Sequence, residues 1–210
     1  MDKIIDGVLK FQKDIFPTHE ELFDSLANQQ DPDVLFITCS DSRVDPNLVT
    51  QSKPGDLFIC RNAGNIVPPH STATGGMTAS IEFAVAVLNV RHIVICGHTD
   101  CGAMKGALNI EALDNLPHVK EWLSHCRSAH EIVKAQAGDS EENQLQKITE
   151  ENVLQQLLHL KTHPTVAAKL ATGDLKLHAW VYEIESGEVR CCDGEDRSFS
   201  PINEHYDSAN

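Results

Sequence analysis

Two short stretches, Cys39-Ser40-Asp41-Ser42-Arg43 and His98-Thr99-Asp100-Cys101, hold the side chains best suited to chemistry. Each directly follows an apolar run that reads as a buried strand: Val34-Leu35-Phe36-Ile37 before the first, Ile93-Val94-Ile95-Cys96 before the second. Two thiols and an imidazole at the ends of neighbouring strands can close on one borderline metal ion, and zinc suits that donor set best. Singly, Cys39 would read as a buried thiol and a His-x-x-Cys as chance. Equivalent positions after two strands are what point to a metal.

Three protein ligands leave a fourth tetrahedral position for water, the pattern of a catalytic zinc site. Two thiolates and a neutral imidazole bring Zn²⁺ to formal neutrality. Such an ion acidifies bound water less than a three-histidine site does, so a neighbour must help to present hydroxide. Asp41 is placed for that: an ionised carboxylate only accepts hydrogen bonds, so it would take the hydroxide hydrogen and turn a lone pair towards the substrate. Arg43 can hold Asp41 ionised through a bidentate pair. Away from a metal, the same two residues would read as a loop salt bridge or a helix cap. A second pose is open to Asp41, on the metal as a fourth ligand in a closed state.

The elements that must position these residues follow from apolar patterning. Residues 3–16 carry apolar positions at helical spacing; Pro17 ends that helix, and Thr18 with Glu21 reads as a capping box for the next. The greasy face of the first helix points to packing on a partner subunit. From residue 33, strands Val34–Thr38, Leu57–Cys60 and His92–Cys96 alternate with loops and helices, one helix opening at Gly75-Gly76. That order predicts an α/β fold with a mostly parallel central sheet flanked by helices. Residues 135–142 read as a loop and 143–161 as a long amphipathic helix bearing Leu145, Ile148, Val153, Leu154, Leu157, Leu158 and Leu160. Pro164 starts a further helix. Lys176–Glu185, the turn Ser186-Gly187 and Glu188–Cys192 form a hairpin, hence an antiparallel edge. One domain over 1–210 is expected, with 1–30 as a helical arm and 195–210 as a polar tail. In an open α/β sheet ligands bind beyond the carboxyl ends of parallel strands, where both motifs fall.

Composition narrows the partners. The formal charge of −14 over 210 residues argues against nucleic acid and anionic membranes, which call for basic patches. No apolar run reaches the roughly 20 residues of a membrane helix. The acidic start Met1-Asp2-Lys3-Ile4-Ile5-Asp6 lacks the features of a secretory signal, so a cytoplasmic location is expected. The seven cysteines are then reduced thiols, ligands or core residues, with Cys60 and Cys96 in the core.

On these residues the sequence resembles the β-class carbonic anhydrases. The strings that carry the likeness are Ile37-Thr38-Cys39-Ser40-Asp41-Ser42-Arg43-Val44, Gly55-Asp56-Leu57-Phe58, Arg61-Asn62-Ala63-Gly64-Asn65 and Cys96-Gly97-His98-Thr99-Asp100-Cys101-Gly102. The resemblance implies reversible hydration of carbon dioxide to bicarbonate and a proton. It implies one Zn²⁺ per subunit on Cys39, His98 and Cys101, a catalytic dyad of Asp41 and Arg43, and a homodimer or higher oligomer. It also implies a small apolar pocket, partly from the partner, at Gln30, Phe58, Ala63, Phe83 and Gly102. Ala63 and Phe83 depart from the plant members, which have valine and tyrosine there. Phe36 stands where some bacterial members carry a tryptophan of a regulatory bicarbonate site, so an open site with Asp41 on Arg43 is expected at neutral pH. His70, His92 and His118 are conceivable proton relays. Three rivals stay open on the sequence: hydrolysis of another cumulated substrate such as carbon disulfide, a thiol-redox protein using Cys39, and a non-catalytic zinc-stabilised binding module.

Overall fold

Apolar β-branched runs at 34–39 and 92–98 lie side by side as neighbouring inner strands of a six-stranded sheet. The computed structural model describes residues 1–72, 74–136, 140–192 and 197–206. These fall into two units, Met1–Asp31 and Pro32–Asn210.

The first unit is helical throughout. Helix α1 (Asp2–Lys10) runs into a π-helical turn at Phe11–Ile15 and a 3₁₀ turn at Phe16–His19, followed by α2 (Glu20–Leu26). Phe11, Phe16 and Phe23 cluster, Phe16 and Phe23 stacking at 5.1 Å between ring centroids. Ile4, Ile5, Val8 and Leu9 of α1 are exposed. The capping box expected at Thr18 does not form. The Thr18 hydroxyl donates backwards to the Ile15 carbonyl at 2.6 Å, and α2 starts after His19 without a side-chain cap. Because the turn before it stays helical, Thr18 finds an orphan carbonyl of the preceding turn before any N–H of the next helix.

In the second unit, β1 (Val34–Cys39), α3 (Pro46–Thr50), β2 (Leu57–Asn62), α4 (Gly76–Glu82, continued by a π-helical turn at Phe83–Val87) and β3 (His92–His98) follow in order. Then come α5 (Gly102–Leu108), α6 (Pro117–Leu123), α7 (Arg127–Ala135), α8 (Glu141–Lys161) and α9 (Pro164–Thr172). Strands β4 (Lys176–Tyr182), β5 (Val189–Cys192) and β6 (Ser200–Pro201) complete the unit. The sheet order is β2-β1-β3-β4-β5-β6. The first four strands are parallel, while β5 and β6 are antiparallel to their neighbours. This is the expected α/β arrangement with its hairpin edge, extended by the two-residue β6. Of the stretches expected to be loop or tail, 137–139, 193–196 and 207–210 lie outside the described residues. Helix α8 begins two residues earlier than apolar spacing suggests, because Ser140 caps it by accepting from the Asn143 N–H.

The main core lies between the sheet and helices α4, α8 and α9, with Leu35, Ile37, Ile81, Ile93, Ile95, Val153, Leu160 and Val166 among its buried members. A second cluster joins Cys39 and Cys101 to α5, α6, α7 and the start of α8. Helix α8 approaches β3 closely at Gly97, where an added Cβ would meet Val153 Cγ2 at 2.9 Å. The inner face of α8 is less apolar than its leucines suggest. Leu158 is exposed, whereas Thr149, Asn152 and Gln156 are buried. Cys60 and Cys96 are buried core thiols, and burial pushes the Cys96 thiol up to about 12.

Candidate metal centre

The strand order reverses at β1, with β2 on one side and β3 on the other. That is the switch point where an open α/β sheet leaves a crevice beyond its carboxyl ends. Cys39 is the last residue of β1 and His98 the last of β3. Cys101 sits three residues on, as the N-cap of α5. Thr99 fixes this short connection: its N–H donates to the Tyr182 carbonyl at 3.0 Å, and its hydroxyl accepts from the Ile184 N–H. Asp100 takes a left-handed conformation at φ 57°, which turns the chain so that Cys101 faces back.

The three ligand atoms all lie within 4.8 Å of one another and all three residues are buried. Cys39 Sγ and Cys101 Sγ are 3.9 Å apart. Two zinc–sulfur bonds at a tetrahedral angle would span about 3.8 Å. The imidazole of His98 is fully enclosed. Its Nδ1 donates to the Thr99 carbonyl at 2.8 Å, which leaves the lone pair on Nε2. That Nε2 is buried and has no hydrogen-bond partner among the described residues. An orphaned ring nitrogen beside two sulfurs is costly unless something electrophilic completes it. The donor set therefore fits a metal of zinc's kind.

The two sulfurs share one proton. The Cys101 thiol donates towards Cys39 and lowers the Cys39 pKa, assisted by His98 and by the Gly64 N–H on the Cys39 sulfur at 3.4 Å. The thiolate on Cys39, and then burial, hold the Cys101 proton on. Both sulfurs are almost wholly enclosed, which closes them to an exchanging thiol and disfavours a redox role.

Asp41 lies beside this group, with Oδ2 at 3.8 Å from His98 Nε2. Its carboxylate accepts a forked pair from Arg43, Nε to Oδ1 at 3.0 Å and Nη2 to Oδ2 at 2.8 Å, and Oδ1 also accepts the Arg43 backbone N–H. These bonds hold the Asp41 carboxyl well below the usual carboxylate range. Arg43 reaches further, to the side chain and the backbone carbonyl of Asp100, and Lys105 pairs with the other Asp100 oxygen. From β2, Arg61 donates to the carbonyls of Cys39 and Asp41 at 3.0 and 2.7 Å, pinning the loop that carries both.

Of the residues singled out in the sequence, Cys39, Asp41, Arg43, His98 and Cys101 thus come together. Phe58 on β2 packs on the main core and meets Phe83 at 6.0 Å between rings. The Ala63 carbonyl accepts from Trp122 Nε1 at 2.9 Å, and Gly102 opens α5. Gln30 lies in the first unit, exposed, after α2. His92 bonds to His178 at 3.0 Å and His70 packs on His163, while His118 is exposed. Sequence reasoning gave no role to Asp100, Lys105 or Arg61. Asp100 and Arg61 stand inside the motif strings, and only their partners, distant along the chain, reveal what they hold.

A parallel-centred α/β sheet with a Cys-His-Cys group at its switch point and an Asp–Arg pair beside it defines a class of enzymes built around one small site. Residues 34–189 match the family model described as carbonic anhydrase. A carbonic anhydrase of Pseudomonas aeruginosa is 51% identical over 205 residues, covering 98% of this chain and 93% of that one. The solved β-carbonic anhydrase CcaA superposes with a TM-score of 0.93 at 45% identity, covering 96% of this chain and 98% of that chain. One of two tetrameric β-carbonic anhydrases from Sordaria macrospora superposes with a TM-score of 0.73 at 31% identity, covering 91% and 93%. This chain belongs to the β-carbonic anhydrases. No helix among its described residues is long and apolar enough to cross a membrane.

Proposed function

We propose that this carbonic anhydrase holds one Zn²⁺ per subunit on Cys39, His98 and Cys101, and that Asp41 with Arg43 is its catalytic pair for reversible hydration of carbon dioxide to bicarbonate and a proton. The observation that carries the reading is the buried, unpartnered Nε2 of His98. It faces two sulfurs 3.9 Å apart and a carboxylate oxygen 3.8 Å away. A zinc ion held by these three residues would supply Lewis acidity and lower the pKa of water.

The chain's own groups do the rest. The Nδ1–H bond to Thr99 keeps the His98 ring in the tautomer that offers Nε2. Asp41, ionised and only able to accept, takes the hydrogen of the attacking oxygen species and so sets the direction of its lone pair. Arg43 keeps Asp41 from picking up a proton and from turning onto the metal, which corresponds to the open state. The substrate is uncharged and needs shape more than charged anchors. Gln30, Phe58, Ala63, Phe83 and Gly102 are the pocket positions, completed in a homodimer or larger assembly. We read the chain as a single functional domain acting in the cytoplasm.

The test is stopped-flow carbon dioxide hydration with metal analysis of the same preparation. Activity that tracks zinc content, near one equivalent per chain, supports the proposal. Full activity in metal-free protein refutes it.

A further inference from the structure

Among its described residues, helix α8 carries three buried polar side chains: Thr149, Asn152 and Gln156, exposed by 3%, 1% and 0%. Polar groups at such depth destabilise a core unless every one is hydrogen-bonded. Thr149 bonds its own helix, to the Leu145 carbonyl. Asn152 and Gln156 do something different. One helical turn apart, they lie one above the other, and their amides form a ladder to the loop between β2 and α4.

The orientation of this ladder follows from one backbone donor. The Val67 N–H donates to Gln156 Oε1 at 2.8 Å. A peptide N–H can only donate, so the oxygen end of that amide faces Val67 and its nitrogen faces away. Gln156 Nε2 then donates to Asn152 Oδ1 at 2.8 Å. Asn152 must in turn present its nitrogen outward, and Nδ2 donates to the Gly64 carbonyl at 3.0 Å. The far end is also tied: His159 Nδ1 donates to the Val67 carbonyl at 2.7 Å.

The near end of the ladder is a residue in contact with the metal group. Gly64 donates its N–H to Cys39 Sγ at 3.4 Å. It has a φ of 83°, and a Cβ there would lie 3.0 Å from Ala103 Cβ and 3.1 Å from Met104 Cε. Gly64 is therefore clamped at both ends, its donor on the sulfur and its acceptor on α8. A hydrogen bond to a thiolate draws charge from the sulfur and weakens its donation to a metal. With two thiolates in the proposed set, such withdrawal would help to keep a bound ion electrophilic.

We infer that Asn152 and Gln156 are positioning residues, which hold the Gly64 N–H on the Cys39 sulfur and thereby tune the metal centre from a helix that contributes no ligand. The inference rests on the proposed ligand set. Its test is the cobalt(II)-substituted protein, whose sulfur-to-cobalt charge-transfer absorption reports the charge on the thiolates.

Asn152→Ala and Gln156→Met, the latter of nearly equal volume, are expected to shift that band. Both should move it to lower energy, since a thiolate relieved of the Gly64 hydrogen bond keeps more charge. The double variant should shift the band little further than either single one, since breaking a ladder at one rung releases the other. Leu154→Ala, a core truncation on the same helix, should lower the melting temperature and leave the band in place. In metal-free protein, amide exchange across residues 62–68 should quicken in Asn152→Ala and stay unchanged in Leu154→Ala. A wild-type protein with no charge-transfer band overturns the ligand set and this inference with it. A wild-type band that both ladder variants reproduce unshifted overturns the inference alone, as does a shift of equal size in Leu154→Ala.

Discussion

Asp100 holds Arg43 on the side that Asp41 leaves open: Nη1 of Arg43 donates to Asp100 Oδ2 at 2.9 Å, and Nη2 reaches the Asp100 carbonyl at 3.2 Å. The guanidinium is thereby fixed from two directions, and Lys105 anchors the far oxygen of Asp100 in turn. An exposed ion pair adds little stability by itself. Its value here is geometric, since Arg43 can only hold Asp41 if it is itself held.

Asp100→Ala should therefore keep its full metal content and lose about tenfold in kcat/KM, the low end of the range for removal of a supporting group. Asp100→Asn retains an acceptor for Nη1 and should lose less. Stopped-flow assays with matched metal analysis check both, and wild-type rates in Asp100→Ala would remove Asp100 from the account.

Asp41→Asn should bind metal normally and lose about 10²–10⁴-fold in kcat, the usual worth of a positioned proton acceptor. The amide that replaces the carboxylate brings a donor where only acceptors serve. Raising the pH above 8 should not restore the rate. Full activity there would end the case for the dyad.

Cys39→Ala and His98→Ala each remove a ligand atom, so their loss of zinc affinity should exceed the ~10–100-fold that supporting residues cost. Equilibrium dialysis against a chelator measures it. Retained stoichiometric zinc in either variant would mean that the ion sits elsewhere.

His178 gives a pH effect away from the metal. Burial lowers its pKa from 6.5 to about 4, with the neighbouring His92 and Lys176 adding to the shift. The unfolded chain thus binds a proton that the folded one refuses. The stability linked to His178 is fully present above about pH 6.5 and drains away as pH falls towards 4. With solvent screening of this partly open site, the loss is on the order of 1–2 kcal/mol. His178→Phe should flatten the fall in melting temperature between pH 7 and 5, and an unchanged slope would count against it.

Gly97→Ala should destabilise the fold by about 1–3 kcal/mol through overpacking, because the new methyl would meet Val153 Cγ2 at 2.9 Å and Thr149 Cγ2 at 3.3 Å. Urea denaturation measures the loss, and adding Val153→Ala should recover part of it. A loss under about 0.5 kcal/mol would mean that α8 gives way without cost.

The sheet was legible because its central strands are unbroken apolar runs, and the metal group because both motifs directly follow such runs. Neither needed information from elsewhere in the chain. What escaped depends on partners far away in sequence. Asn152 and Gln156 are polar, so apolar periodicity leaves them on the outer face of α8. They are inside because Gly64 and Val67, some ninety residues earlier, supply the bonds that make burial tolerable. Asp100 stood in plain view beside Cys101, but its task depends on Arg43, 57 positions away. Thr18 shows the opposite error: a local motif was present, and a competing carbonyl one turn back took the hydroxyl.

The main apolar core contains none of Cys39, His98 and Cys101. That core can therefore form before any ion arrives, whereas the second cluster, which holds Cys39 and Cys101, is where uptake of a metal would finish the packing. On the proposed zinc site, chains made while that ion is scarce would keep their main core and become active on resupply, without fresh translation.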